Sequence, residues 1–186
     1  MDLAQFHKAI YSGARREKEK YEKIQGLDFF SDIMAERICT VESLSGCTKA
    51  GLEKEIGDRA RNAVYVILAK QERFPFRKDT LEGVYKKDGF SMSRINGQNE
   101  WATAEGYYCL YAGSSKGSVV ERLVQHLGIA GDNHKVYALH MAQWWPEAAV
   151  RIDVRQFRGE AEPYLQEIED MLWDYYQPIF GRKGPK

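Results

Sequence analysis

An α/β fold, a small sheet packed by helices with a helical extension at its N-terminal end, is what the sequence predicts. Three observations lead there. The run "AVYVILA" (63–69) is apolar, β-branched and of strand length, as a central strand should be. The stretch "GYYCLYAGSSKGSVVERLVQHLG" (106–128) passes from an aromatic strand through a Gly/Ser loop into a helix. Near the C-terminus, "PYLQEIEDMLWDYYQPIFG" (163–181) has helical periodicity and is closed by a proline.

The bulk numbers set the class. The chain has 186 residues, which suits one domain with an extension: residues 1–60 as a helical N-terminal part, and 61–186 as the sheet-bearing domain with an insertion at about 71–106. Hydrophobic residues at 44% beside charged residues at 29% read as a soluble globular chain. No apolar run approaches the roughly 20 residues that span a bilayer, so no membrane association is expected. The opening residues lack a signal-peptide h-region. Three cysteines without a CxxC spacing argue for a reducing cytoplasm and against a zinc site or disulfide framework. Lys+Arg and Asp+Glu both number 27, so any nucleic-acid contact must come from a local patch.

Taken in order, "DLAQFHKAI" places Leu3, Phe6 and Ile10 near helical spacing, and "ARREKEKYEKI" continues it as a solvated mixed-charge face. "DFFSDIMAERI" reads as a second short helix and "TKAGLEKEIGDRA" as a third. The strand at 63–69 follows. The segment beyond it is polar and broken by Gly and Pro, which at this length points to a functional insertion. Lys70, Arg73, Arg77, Lys78, Lys86, Lys87 and Arg94 interleave there with Phe74, Phe76, Tyr85 and Phe90. That is either a modest basic-aromatic patch or an ordinary loop over a small satellite core. After the strand "YYCLYAG" and the 119–127 helix, "KVYALHMAQWW" and "AVRIDVRQF" read as two strands joined across Pro146. In the second, Val150, Ile152 and Val154 alternate with Arg151, Asp153 and Arg155.

The chemistry sits in two helices and two strands. Ser118 and Glu121 form a capping box, so the first helix starts at Val119, and Gly128 can stop it. Val120, Leu123, Val124 and Leu127 make its apolar stripe, while Arg122 and His126 lie together on nearly the opposite side. Two potentially cationic neighbours repel slightly, so a shared anion explains them better than helix stability does. The loop "GSSKGS", with Ser114 and Lys116, could offer donors to a phosphate. On the second helix Leu165, Leu172 and Tyr176 define an apolar stripe. Glu169 stands about 40° from Leu165, on the core-facing side, where a carboxylate needs an ion pair or a metal. Tyr65 interrupts the first strand and Tyr111 ends the second.

In this order the pieces resemble the GIY-YIG nuclease family. "AVY" (63–65) stands for its first motif, with Ala63 in place of Gly, and "YAG" (111–113) for its second. "ERLVQH" places Arg122 and His126 at the family's spacing, and Glu169 precedes Pro178 as the family's metal-binding Glu precedes its Pro. Gly181 stands where the family has an Asn. The resemblance covers roughly residues 62–70 and 107–181.

It implies a small, mainly antiparallel sheet flanked by helices. It also implies a metal-dependent DNA endonuclease of restriction or phage-defence type. Glu169 would bind Mg²⁺ (or Mn²⁺), Arg122 would hold the phosphoryl oxygens, and Tyr65 would act on the attacking water, its pKa lowered by Arg122 or the metal. His126 would share the proton work, and Tyr111 would complete the pocket. The insertion, with Lys86, Lys87 and Arg94, and the "GRKGPK" tail would grip DNA, and a homodimer would suit cutting of both strands. Two other readings remain open. One is a nucleic-acid-binding module on the same fold without cleavage. The other is a protein-interaction domain using the N-terminal helices and Trp144 and Trp145.

Overall fold

The computed structural model describes residues 18–20, 22–23, 25, 33–86, 88–96, 101, 103–104, 106–129, 134–158 and 161–184. Its elements run in the order β1 (Ile33–Val41), α1 (Lys49–Ile56), β2 (Ala63–Lys70), α2 (Lys78–Val84), β3 (Thr103–Ala104), β4 (Tyr107–Ser115), α3 (Val119–Leu127), β5 (Val150–Phe157) and α4 (Leu165–Tyr176). The strands form one sheet in the order β1-β5-β2-β4-β3. All its pairings are antiparallel. β2 is therefore central, and its residues from Ala63 to Ala69 are all buried. The predicted α/β fold, a small antiparallel sheet flanked by helices, is present.

The sheet is covered on both faces. On one side Tyr65, Ile67 and Tyr111 join the main core with Val120, Leu123, Val124 and Leu127 of α3. On the other, Val64 packs with Leu165 and Ile168 of α4, while Val66, Leu68, Cys109 and Ala112 meet Leu172 and Tyr176. Alternation along each strand assigns these faces. One interruption matters for the site. Ile67 pairs with Tyr111 but Leu68 pairs with Cys109, so Leu110 is an extra residue on β4. This bulge lets Leu110 and Tyr111 both enter the α3-side core.

Local chemistry sets the helix limits. Ser118 accepts from the Glu121 N–H at the start of α3, and Gly128 closes it at φ 73°. Pro163 falls in the short 3₁₀ turn leading into α4, and Gln177, just before Pro178, adopts a left-handed conformation at its end.

Three expectations are corrected. Residues 33–38, expected as part of a 28–38 helix, belong instead to the strand Ile33–Val41 paired with β5, so part of the 1–60 extension lies in the sheet. Helical residues do occur at 18–20, 22–23 and 25, and Lys20 forms an ion pair with Glu167 of α4. The 135–145 segment is not a strand. Both edges of β5 are already taken, by β1 and β2. The segment instead makes one bridge, from Ala138 to Met92, and a 3₁₀ turn at Met141–Gln143. Third, the aromatics are largely internal. Phe74, Tyr85 and Trp145 are buried, and Trp144 packs on Phe76, Tyr85 and Phe180. The aromatic half of the insertion patch thus belongs to the main core and not to a separate satellite, and the two tryptophans are not an exposed docking pair. Among the described residues, no helix is long and apolar enough to cross a membrane.

Candidate active site

Tyr65 and Tyr111 meet because β2 and β4 pair with Tyr65 opposite Gly113. Their rings stack with centroids 6.2 Å apart, and His126 of α3 lies 4.1 Å from Tyr111 and 6.0 Å from Tyr65. Gly113 is required at that crossing. A Cβ there would stand 2.6 Å from Tyr111 Cε1 and 2.8 Å from the Tyr65 hydroxyl. Gly113→Ala is therefore expected to cost about 1–3 kcal/mol as overpacking, read as a lower urea midpoint. An unchanged midpoint would mean the tyrosine pair is loosely held.

His126 is fully buried, so the side of α3 opposite its apolar stripe does not face solvent. Tyr111 and the 137–139 segment cover it. The Leu139 N–H donates to His126 Nδ1 at 3.3 Å, which leaves the ring proton on Nε2. Arg122 is steered by the same segment. Its Nη2 donates to the Tyr137 carbonyl at 3.1 Å and its Nη1 to Gln125 Oε1 at 2.8 Å. Both partners are neutral, and among the described residues no ion pair joins Arg122 to a carboxylate. These two partners position its positive charge without cancelling it.

Burial pushes the Tyr65 phenol well above its ordinary value of 10.0. The neighbouring Tyr111 and the negative charge of Glu169 add to the rise, and Arg122 pulls against it. Of the two groups expected to lower this pKa, Arg122 does not do so by itself, because desolvation outweighs it. Arg122 is near enough to act on it electrostatically, yet the Tyr65 hydroxyl has no hydrogen bond of ordinary geometry.

Glu169 is buried at 2% exposure, and the Ser114 hydroxyl donates to its Oε2 at 2.6 Å. Both lie on the α4 side of the sheet, whereas the Tyr65–Tyr111–His126 stack lies on the α3 side. The carboxylate's field still reaches Tyr65. Among the described residues no three His, Cys, Asp or Glu side chains gather as a metal cage. A single carboxylate beside a hydroxyl oxygen does fit Mg²⁺, which takes few protein ligands and relies on water and phosphate for the rest.

A cleft of about 550 Å³ opens beside the stack, lined by Met92, Ser93, Arg94, Tyr111, Arg122, Tyr137, Gly181 and Arg182. The structure therefore brings Tyr111, Arg122 and Arg94 to one cavity, with His126 and Tyr65 behind the Tyr111 ring. Ser114 turns to Glu169 instead of lining an anion loop. Lys86 and Lys116 are exposed and do not line the cleft, and Lys87 lies outside the described residues. Sequence reasoning missed Ser93 and Tyr137, which carry no periodic signal. Arg182 was covered only as part of the basic tail.

Buried acids predict a further pH effect. Burial, then Cys47 and Glu55, raise the Cys39 thiol from 9.0 to about 11, and burial raises Cys109 and Tyr85 as well. Raised values mean that the folded chain keeps protons the unfolded chain releases. Stability should be fully present below pH 9 and fall as pH rises through 11. Melting curves from pH 7 to 11 check this, and Tyr65→Phe should flatten the fall above pH 10. A flat profile would show these groups to be solvated.

Fold and site define an α/β protein with an arginine-lined cleft beside a buried Tyr–Tyr–His stack. Comparison with protein-family models, characterised proteins and solved structures finds no match.

Proposed function

We propose that the chain is a divalent-metal-dependent endonuclease acting on DNA in the cytoplasm. The observation that carries this reading is the convergence of Arg94, Arg122 and Arg182, from three separate segments, on one cleft walled by Tyr111. Such a site suits a polyanion with planar faces. The order Tyr65, Tyr111, Arg122, His126, Glu169, shared with the GIY-YIG nucleases, selects phosphodiester hydrolysis among the reactions of polyanions.

In this reading the water oxygen attacks phosphorus while the opposite P–O bond breaks. Negative charge gathers on the phosphoryl oxygens, and Arg122 neutralises it with a guanidinium fixed by neutral partners. Tyr65 and His126, stacked behind Tyr111, would hold in place the ring that walls the cleft, and the proton released by the attacking water would pass to solvent. Ser114 fixes the rotamer of Glu169, which would hold a Mg²⁺ or Mn²⁺ ion. That ion would supply Lewis acidity and ease deprotonation of water.

Incubation with plasmid DNA and Mg²⁺, with and without EDTA, tests the proposal. Nicking or linearisation that EDTA abolishes is expected. DNA binding without cleavage at any metal would favour the inactive nucleic-acid-binding module instead.

A further inference from the structure

We infer that Arg94 and Arg182 form a second phosphate-binding position in the cleft, holding the backbone phosphate adjacent to the one engaged by Arg122 on the same DNA strand. The inference rests on the nuclease reading and adds a subsite to it.

The two arginines are far apart in sequence and are joined by backbone pairing. Ile95 bridges Phe180, the Gly181 N–H donates to the Arg94 carbonyl at 2.8 Å, and the Asn96 N–H donates to the Ile179 carbonyl at 2.8 Å. The Asn96 side chain adds a bond to the Pro178 carbonyl at 2.9 Å. This small ladder is anchored in turn to β4, because the Ile179 and Phe180 N–H groups donate to the carbonyls of Cys109 and Leu110. Arg94 and Arg182 are thus carried on backbone fixed to the strand that presents Tyr111.

Charge and space agree with this use. Among the described residues no carboxylate lines the cleft. Both side chains are exposed, so their forks can reach a ligand without desolvation of a buried charge. A volume of about 550 Å³ is in the range of small-ligand pockets and exceeds what a single phosphate fills. Ser93 and Tyr137 add uncharged donors at the wall.

Gly181 packs directly on the Tyr111 ring at the wall of the cleft. It has φ 99°, and a Cβ there would stand 3.0 Å from Tyr111 Cε2. An Asn at this position would be strained and would push on that ring.

The test is fluorescence anisotropy of a labelled duplex with EDTA present, across a salt series, for wild type and for R94Q/R182Q. The variant keeps side-chain bulk and removes both charges. It should melt like wild type, bind at least tenfold more weakly near 0.1 M salt, and lose roughly 0.9 from the salt slope for each contact removed. R94K/R182K should recover most of the slope but not all of the affinity, since a point charge lacks the fork. An R94Q/R182Q slope equal to that of a DNA-binding wild type overturns this subsite and leaves the nuclease reading standing. A wild type that binds no DNA at any salt overturns both.

Discussion

Glu169→Gln is expected to abolish Mg²⁺-dependent cleavage while leaving folding and DNA binding nearly intact. Gln is almost isosteric, so the apolar side of α4 still packs on the sheet. Its amide oxygen can accept the same bond that Ser114 donates to Glu169. What disappears is the anionic charge, and a neutral amide is a far weaker ligand for a hard divalent ion. If Glu169 served only as half of a buried ion pair, the substitution would strand a cation and cost about 3–5 kcal/mol. The melting temperature would then fall while the folded fraction kept its activity. Melting curves and cleavage assays on the same preparation separate the outcomes, and the second would remove Glu169 from the active site.

Arg122→Ala should be nearly as severe. One preorganised donor aimed at developing charge contributes about 2.7–4 kcal/mol of transition-state stabilisation, so kcat should fall by a factor on the order of 10²–10³. Stability should change little, because Arg122 is only partly buried and its partners, Gln125 and the Tyr137 carbonyl, lie near solvent. Arg122→Lys should recover part of the rate, since it keeps the charge and loses the planar fork. Single-turnover cleavage with saturating DNA measures the effect. A variant that cuts at the wild-type rate would place the reacting phosphate elsewhere.

Elements with their own punctuation were legible in the sequence. The limits of α3 follow from Ser118 and Gly128, and β2 and β5 follow from an apolar run and a clean alternation. β1 was not legible. "IMAERICTV" holds Met, Ala, Glu and Arg, which favour helix, and only the unoccupied edge of β5 makes it a strand. The 135–145 segment failed for the converse reason: it looks like a strand, but β5 has no edge left to offer it. Helical periodicity singled out Arg122, His126 and Glu169, and of these it is Arg122 that lines the cleft, while His126 and Glu169 are buried. It could not place α4 on the opposite face of the sheet from α3. Nor could it assemble the cleft, whose walls at 92–94, 137 and 181–182 meet through pairings between remote segments. The raised pKa of Tyr65 was hidden for a related reason, since desolvation depends on everything packed around the ring.

The central place of β2 has a consequence for synthesis. Its partners on the two sides are β4 and β5, and residues 71–149 separate its end from the start of β5. While the chain emerges from the ribosome, β2 can pair with β4, but its other edge stays bare until residues 150–157 have been made. During that interval the run from Ala63 to Ala69 is an uncovered apolar strand edge, the kind of surface that recruits other nascent chains. Pairings this remote in sequence also close slowly. Production of intact protein should therefore depend on how long that edge waits: slower initiation or chaperone holding should raise the soluble yield, and chains ending before Val150 should aggregate.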